Sequence, residues 1–304
     1  MKKVVIQGIP GAFHEIAARN YFAPEKIHVI PSRTFAGLFK MITTDHELHG
    51  IVAVENSLAG SILPNLTLLK DSGVTITGEC KLRIALNLLA LPGQSISDLK
   101  EVLSHPVALL QCTEFFKQYP EIRITESDDT AKSAMDIRRE QLRGVGVVAS
   151  ALAGQLYNLE TLAKGIETNK RNFTRFFIVE GNPARNSAKK RGSEINNKAS
   201  IVFTLAHERG SLSVVLTMLA KMECNLMMIQ SNPVIGREWE YLFYIDLLFN
   251  NSDKFNKALT EMQKTCNEVK VLGVYQAGEV YSGENSPVGE IENESHILEL
   301  WNKQ

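Results

Sequence analysis

Apolar residues along this chain fall into two alternating patterns, short continuous runs and longer stretches with a three-to-four residue period. Val4-Val5-Ile6 is the first run, Gly8-Ile9-Pro10-Gly11 breaks it, and Phe13, Ile16, Ala17 and Tyr21 then share one helical face. Residues 27 to 30 predict a second strand, Phe35, Leu38, Phe39 and Ile42 a second helix, and Ile51-Val52-Ala53-Val54 a third strand. Such alternation implies a parallel sheet with helices on its faces. After Val74-Thr75-Ile76-Thr77, a long apolar stretch at 82 to 91 carries the chain into a second α/β lobe. Strands are expected there at 102 to 104, 122 to 124 and 145 to 149, with helices after Pro106, from Asp129 and from Ser150 to about Tyr157.

Asn172-Phe173-Thr174-Arg175-Phe176 runs on into Phe177-Ile178-Val179 and reads as a buried strand, yet its first half carries a hydroxyl and a guanidinium. Buried polar groups need partners. Either Arg175 ties to a carboxylate and the hydroxyl to a neighbouring strand, or the strand end opens into a cleft where Thr174 meets a ligand. Residues 181 to 198 then hold almost no large apolar side chain, which predicts a linker, and Lys189-Lys190-Arg191 within it reads as a solvated charge run.

Beyond the linker the pattern is compact. Ile201, Phe203 and Leu205 alternate as a strand, Leu212, Val215, Leu216 and Leu219 fall on a helix face, and residues 225 to 230 make a further strand. Tyr241, Phe243, Ile245, Leu247 and Phe249 alternate strongly, Phe255, Leu259, Met262 and Cys266 mark a second helix, and Val269 and Val271 a last strand. This is the βαββαβ order of a ferredoxin-like unit. The strand at 241 to 249 alternates too strongly to leave its edge bare, so two such sheets are expected to pair, giving a homodimer or homotetramer. From residue 277 the tail is acidic and poor in large apolar groups until Ile297 to Trp301, so it is expected to be poorly ordered.

Composition narrows the function classes. The 304 residues are 44% hydrophobic and 22% charged, enough to bury a full core, and the net charge of −1 gives no global field for nucleic acid or an anionic membrane. A small-molecule partner is expected. Cys80, Cys112, Cys224 and Cys266 form no C-x-x-C pair and suit reduced thiols, without disulfide or zinc. No apolar run approaches the ~18 residues of a membrane span, and no signal segment precedes the first strand, so a cytoplasmic protein is expected.

Candidate chemistry lies at the strand ends, where open α/β sheets bind ligands. Glu55-Asn56-Ser57-Leu58-Ala59-Gly60 follows the third strand, and these residues either meet a ligand or cap the next helix. Ser104-His105-Pro106 repeats the arrangement, with His105 open to a role as base, N-cap or core residue, and Gln111 on the following helix. The Gly8 to Gly11 turn leaves backbone N–H groups for an anion or is a tight structural turn.

Five motifs in order resemble the prephenate dehydratases of phenylalanine biosynthesis. Gly8-Ile9-Pro10-Gly11-Ala12-Phe13 is similar to that family's glycine motif, and Val54-Glu55-Asn56-Ser57 with Gly60 to its Glu-Asn-Ser motif. Ser104-His105-Pro106 with Gln111-Cys112, Asp129-Thr130-Ala131, and Asn172 to Phe176 complete the set, and residues 199 to 275 resemble the ACT regulatory domain. The resemblance implies a two-lobed α/β catalytic domain like a type II periplasmic binding protein over 1–181. Lobe 1 would be 1–78 plus 173–181 and lobe 2 would be 79–172. A linker at 182–197, a ferredoxin-like ACT domain at 198–276 and the 277–304 tail follow. It also implies decarboxylative dehydration of prephenate to phenylpyruvate, without metal or cofactor, and feedback inhibition by L-phenylalanine.

On this resemblance Thr174 assists the leaving hydroxide, with Asn56, Gln111 and Ser104 as further catalytic groups. Thr130, Ala131, Ser57 and Phe176 are the expected substrate contacts. Gly210, Ser211, Leu212, Gln230 and Ser231 are the expected effector site. Departures from the family pattern are Ala12 and His14 in place of small hydroxyl residues, Ile84-Ala85-Leu86-Asn87-Leu88 where a His is common, and Ser211, Gln230 and Asn232 in the regulatory half. The alternatives are the same chemistry on arogenate, or a non-catalytic amino-acid-binding regulator. The chain opens on the first dehydratase strand, so a fused chorismate mutase is not expected.

Overall fold

The computed structural model describes residues 1–181, 196–234, 236 and 240–283. The first lobe comprises β1 (Lys2–Gln7), α1 (Phe13–Phe22), β2 (Ile27–Ser32), α2 (Phe35–Thr44), β3 (Leu48–Asn56), β4 (Gly60–Ser61), α3 (Leu63–Ser72) and β5 (Thr75–Arg83). Val4, Val5 and Ile6 are fully buried, as a strand flanked by parallel β2 and β3 and covered on both faces requires. The second lobe holds β6 (Asn87–Ala90), β7 (Glu101–Ser104), α4 (Pro106–Gln111), α5 (Thr113–Phe116), β8 (Arg123–Glu126), α6 (Thr130–Glu140), β9 (Val145–Ala149), α7 (Ala151–Leu156) and β10 (Glu160–Ala163). Its strand order is β10-β6-β9-β7-β8. The chain then returns as β11 (Phe173–Glu180), antiparallel between β3 and β5 in the first sheet.

The lobe boundary differs from expectation. β5 continues to Arg83, opposite Phe173, so the crossover follows residue 83 rather than 78. A continuous apolar run hides such a boundary; what marks it is Arg83, which donates to Glu167 at 2.8 Å and to the Lys170 carbonyl at 3.2 Å. Glu167 also accepts from the Leu86 amide at 2.9 Å, joining the two crossing segments at one carboxylate.

β12 (Lys198–Thr204), α8 (Ser211–Lys221), β13 (Asn225–Pro233), β14 (Tyr241–Leu248), α9 (Ser252–Thr265) and β15 (Glu268–Tyr275) form the expected βαββαβ unit, with strand order β13-β14-β12-β15. Its odd-numbered strand positions (Ala199, Ile201, Phe203, Ile245, Leu247) pack under α8 and α9. The even-numbered positions Val202, Tyr244 and Leu272 face the other way, with Tyr275, and join Val74, Ile76, Phe177 and Val179 of the first lobe in one core. The helix-free face of this unit is thus sealed against the first lobe. β14 is internal, with both edges paired, so the expected reason for sheet pairing does not hold for it. The bare edge is β13, where Met227 and Ile229 are 50% and 41% exposed.

The tail also departs from expectation. Residues Val280–Tyr281 form β16, parallel to β5 at the edge of the first sheet. The Lys81 amide donates to the Glu279 carbonyl at 2.9 Å, the Ala277 amide to Asn197 Oδ1 at 2.8 Å and the Gly278 amide to Glu79 Oε1 at 3.1 Å. Backbone bonding of this kind is invisible to composition. The rest of the tail, from 284, and the linker from 182 to 195, with its Lys-Lys-Arg cluster, lie outside the described residues. Truncation after Gln276 is therefore expected to cost about 2 kcal/mol or more, since it bares the outer edge of β5 and leaves Glu79 short of a donor. A melting temperature unchanged by the truncation refutes this.

Among the described residues no helix is long and apolar enough to cross a membrane. All four cysteines are buried as free thiols.

Candidate active site between the two lobes

The carboxyl end of β3, the start of β11 and the segment just before it meet at the mouth between the lobes. β11 pairs with β3 so that Thr174 stands opposite Asn56. Asn56 Oδ1 accepts from the backbone amides of Leu58 at 3.0 Å and Ala59 at 2.9 Å, a local turn that fixes which way its amide points. Its Nδ2 then donates to Thr174 Oγ1 at 3.0 Å and to Asn172 Oδ1 at 2.8 Å. Asn172 in turn donates from Nδ2 to Gln111 Oε1 at 2.8 Å. One chain of amides therefore joins Thr174 and Asn56 in the first lobe to Gln111 in the second. Thr174 is 9% exposed and accepts from Asn56, which leaves its own proton to be donated outward.

Three of the four residues expected to be catalytic come together in this way, and the fourth does not. Ser104 is fully buried and donates to the Val148 carbonyl at 2.6 Å, so its proton is committed to the neighbouring strand. Its place at a strand end misled because the side chain points into the lobe rather than out of it. His105 caps α4, its Nδ1 accepting from the Val107 amide at 3.3 Å. Asn172 is the residue that sequence reasoning left out. Its signal was a polar side chain next to the strand, and it is fully buried here.

The expected substrate contacts divide. Ser57 Oγ donates to the Arg171 carbonyl and accepts from the Phe173 amide, each at 2.9 Å, so it clamps the entry to β11. Phe176 is 1% exposed and forms the wall below Thr174 on the same face of β11. Thr130 and Ala131 open α6, whose cap Asp129 accepts from the Lys132 amide at 2.8 Å. Burial pushes the Asp129 carboxyl above the usual carboxylate range.

The glycine turn is structural. Gly8, at φ +98°, lies so close to lobe 2 that an added Cβ would stand 2.8 Å from Asp129 Oδ2, and at Gly11 it would stand 3.0 Å from the Ala153 Cα. Its amides are occupied: Gly11 donates to Glu15 Oε2 at 2.6 Å and Gly8 to the Ser32 carbonyl at 2.9 Å. Its carbonyls hold the other lobe, since Ser150 Oγ donates to Gly11 and the Tyr157 hydroxyl to Pro10, both at 2.6 Å.

His14 adds a group that its place in the first turn of a helix did not predict. Its ring lies edge-on to Phe176 with centroids 5.1 Å apart and tilted on Phe35 at 5.5 Å, and among the described residues its Nε2 has no hydrogen-bond partner. Burial pulls its pKa from 6.5 down to about 4. Between those values the unfolded chain takes up a proton that the folded chain refuses, so stability complete above pH 6.5 is lost as the pH falls toward 4. The expected loss between pH 7 and 5 is up to about 2 kcal/mol. Urea midpoints of wild type and His14→Phe over this range check it, and equal pH slopes would overturn it.

In the C-terminal unit, Gly210 (φ +83°) precedes α8, beside Ser211 and Leu212. Ser231 and Phe203 both pair with Phe243, so the β13 residues Gln230 and Ser231 lie toward the same sheet end as this loop. Gln230 Nε2 donates to the Ser231 carbonyl at 3.1 Å, and Asn232 Nδ2 to Thr67 Oγ1 of α3 at 3.4 Å.

Comparison with known proteins agrees with this architecture. The family model for prephenate dehydratase matches residues 4–184. A bifunctional chorismate mutase/prephenate dehydratase of Aquifex aeolicus is 34% identical over 275 residues, covering 90% of this chain and 73% of that protein. Among solved structures, GqqA, a quorum-quenching acylase, is 28% identical with a TM-score of 0.80, over 90% of this chain and 98% of that one. Prephenate dehydratase from Arthrobacter aurescens in complex with L-Phe shares the fold at 22% identity and a TM-score of 0.79, over 95% and 93%. With two lobes joined as the motifs require and the family model spanning more than half of its length, this chain belongs to the prephenate dehydratase family.

Proposed function

We propose that this protein converts prephenate to phenylpyruvate in the cytoplasm, expelling the ring hydroxyl and the quaternary carboxylate as carbon dioxide. The observation that carries the reading is the amide chain that holds Thr174 Oγ1 as an acceptor from Asn56 and frees its proton for a leaving oxygen. Aromatisation supplies the driving force, so the site has only to hold the substrate and assist departure of hydroxide. Thr174 donates to that oxygen as an oxyanion-hole group does, a contribution of roughly 3 kcal/mol or more. Asn56 and Gln111, linked through Asn172, set the geometry. The Thr130 amide and hydroxyl at the start of α6 are assigned a substrate carboxylate, with Ala131, whose amide bonds to Asp129, packed beside it. Ser104 supports the β7–β9 sheet and is assigned no catalytic role. An ultraviolet assay for phenylpyruvate from prephenate, run beside arogenate, tests this; no product from either overturns it. Acyl transfer of the GqqA kind would need a base to activate the hydroxyl, whereas the neighbour of Thr174 Oγ1 is an amide donor.

We further propose that the C-terminal unit is an ACT domain that binds L-phenylalanine at Gly210, Ser211, Leu212, Gln230 and Ser231, with a second copy of the chain completing the site along the bare β13 edge. An effector acts only by its differential affinity for two arrangements. Rates and calorimetry on the whole chain across phenylalanine concentrations are expected to show both inhibition and binding. Absence of both at millimolar phenylalanine would leave this unit as a dimerisation module.

A further inference from the structure

Arg175 follows Thr174 directly and points to the opposite face of β11, where it is buried among acids from three elements. It pairs with Asp246 of β14, with Glu79 of β5 at 3.5 Å and with Glu55 of β3 at 3.3 Å, and its guanidinium lies over the Phe177 ring at 5.0 Å. Asp246 and Glu79 are themselves buried and held from the C-terminal unit. Ser200 of β12 donates to Asp246 Oδ1 at 2.5 Å, and Ser200 and the Tyr275 hydroxyl stand 2.7 Å apart. Lys198 of β12 donates to both oxygens of Glu79, at 2.7 and 2.8 Å. Burial alone would make Arg175 less basic, but the Asp246 and Glu79 carboxylates outweigh it and hold the guanidinium above its ordinary range. The cluster is close to neutral, and half of it belongs to the unit beyond the linker.

The place of this cluster on the strand matters more than its strength. Arg175 pairs with Glu55 but Phe176 pairs with Ala53, so Val54 is an extra residue and β3 carries a β-bulge against β11 at this point. A bulge re-aims the side chains beside it, and a one-residue slip turns each side chain to the other face. With Arg175 fixed, Thr174 stays opposite Asn56. Without that fixing, the bulged pairing on the β3 side rests on the Ser57 clamp and on the pairing of β11 with β5.

Building on the dehydratase reading above, we propose that Asp246 and Glu79 are positioning residues: through Arg175 they fix the bulged pairing of β11 on β3 and so aim Thr174 at the leaving oxygen, which makes docking of the C-terminal unit a condition of turnover. The site is thus completed from outside the catalytic lobes. A change that lifts the helix-free face from the first lobe reaches Thr174 through a single side chain.

The test uses the full-length chain. Asp246→Asn keeps the shape and removes the charge, and is expected to lower kcat about tenfold or more with KM changed less than about twofold, since small misplacements of a reacting group are that costly. Asp246→Glu is expected to recover part of the loss. In a Thr174→Val background the same change should cost less than about twofold, because both act through one hydroxyl. The methyl signal of Thr174 in chain carrying 13C-labelled threonine, identified by its absence in Thr174→Val, is expected to shift in Asp246→Asn. Should Asp246→Asn not fold, Ser200→Ala, paired with Tyr275→Phe so that no buried hydroxyl is stranded, removes the bond that orients Asp246 and is expected to give smaller changes in the same direction. An unmoved methyl signal, or losses that multiply fully in the double variant, overturns the proposal. The methyl signal needs no turnover, so a chain inactive on prephenate would refute the dehydratase reading while this arm still decides the positioning.

Discussion

Thr174→Val is expected to lower kcat at least ~100-fold while leaving the melting temperature nearly unchanged. The side chain sits where the β11 face passes from core to cleft, and valine fills the same volume against Phe176 and its neighbours. The Asn56 amide loses one acceptor but keeps Asn172 Oδ1 at 2.8 Å and the Phe173 carbonyl at 3.3 Å, so no buried donor is stranded. On the proposed mechanism, what disappears is the proton donated to the leaving oxygen, an interaction made as charge develops and absent from the ground state. The expected signature is therefore a fall in kcat with KM little altered. Purified Thr174→Val turning over near the wild-type rate would remove Thr174 from the mechanism.

Much of this arrangement was legible in the chain because period and position coincide. The β1, α1, β2, α2, β3 series was readable from apolar spacing alone, and Asn56 and Thr174 stood out as polar groups at the ends of apolar strands. What stayed hidden depends on which way a side chain points and on what lies across a gap in sequence. Ser104 and Asn56 look alike in one dimension, yet one donates into its own sheet and the other into the mouth. The crossover at Arg83 was hidden inside a continuous apolar run, and β16 inside an acidic tail. Asp246 drew no reading in the sequence: it is a charge on the even-numbered face of β14, and that face is buried by the first lobe. Of the two readings open for the Thr174 strand, the structure shows the first in Arg175, which is tied to carboxylates, while the Thr174 hydroxyl bonds to Asn56 across the strand pair and its meeting with a ligand is part of the proposal.

The second large effect is expected from Glu79→Gln, and it falls on stability. Glu79 is 2% exposed and lies between Lys198, which is 3% exposed, and Arg175, which is 6% exposed. With Glu79 neutral, Lys198 loses its carboxylate partner, while Arg175 keeps the buried Asp246 and Glu55 at the rim, which is 40% exposed. Removing one partner from a buried charge network typically costs ~3–5 kcal/mol, because the charges left behind have lost both water and counter-charge. The loss falls on the contact between the C-terminal unit and the first lobe, since Lys198 opens β12 and the Gly278 amide also ends on Glu79. Thermal unfolding of Glu79→Gln is expected to begin about 10 °C lower, led by detachment of that unit. Adding Lys198→Met removes the stranded cation and should restore part of the loss, a recovery that a packing defect would not give. If Glu79→Gln melts within about 2 °C of wild type, the cluster contributes little to holding the molecule together. If Lys198→Met deepens the loss, the energy lies in packing rather than in charge balance.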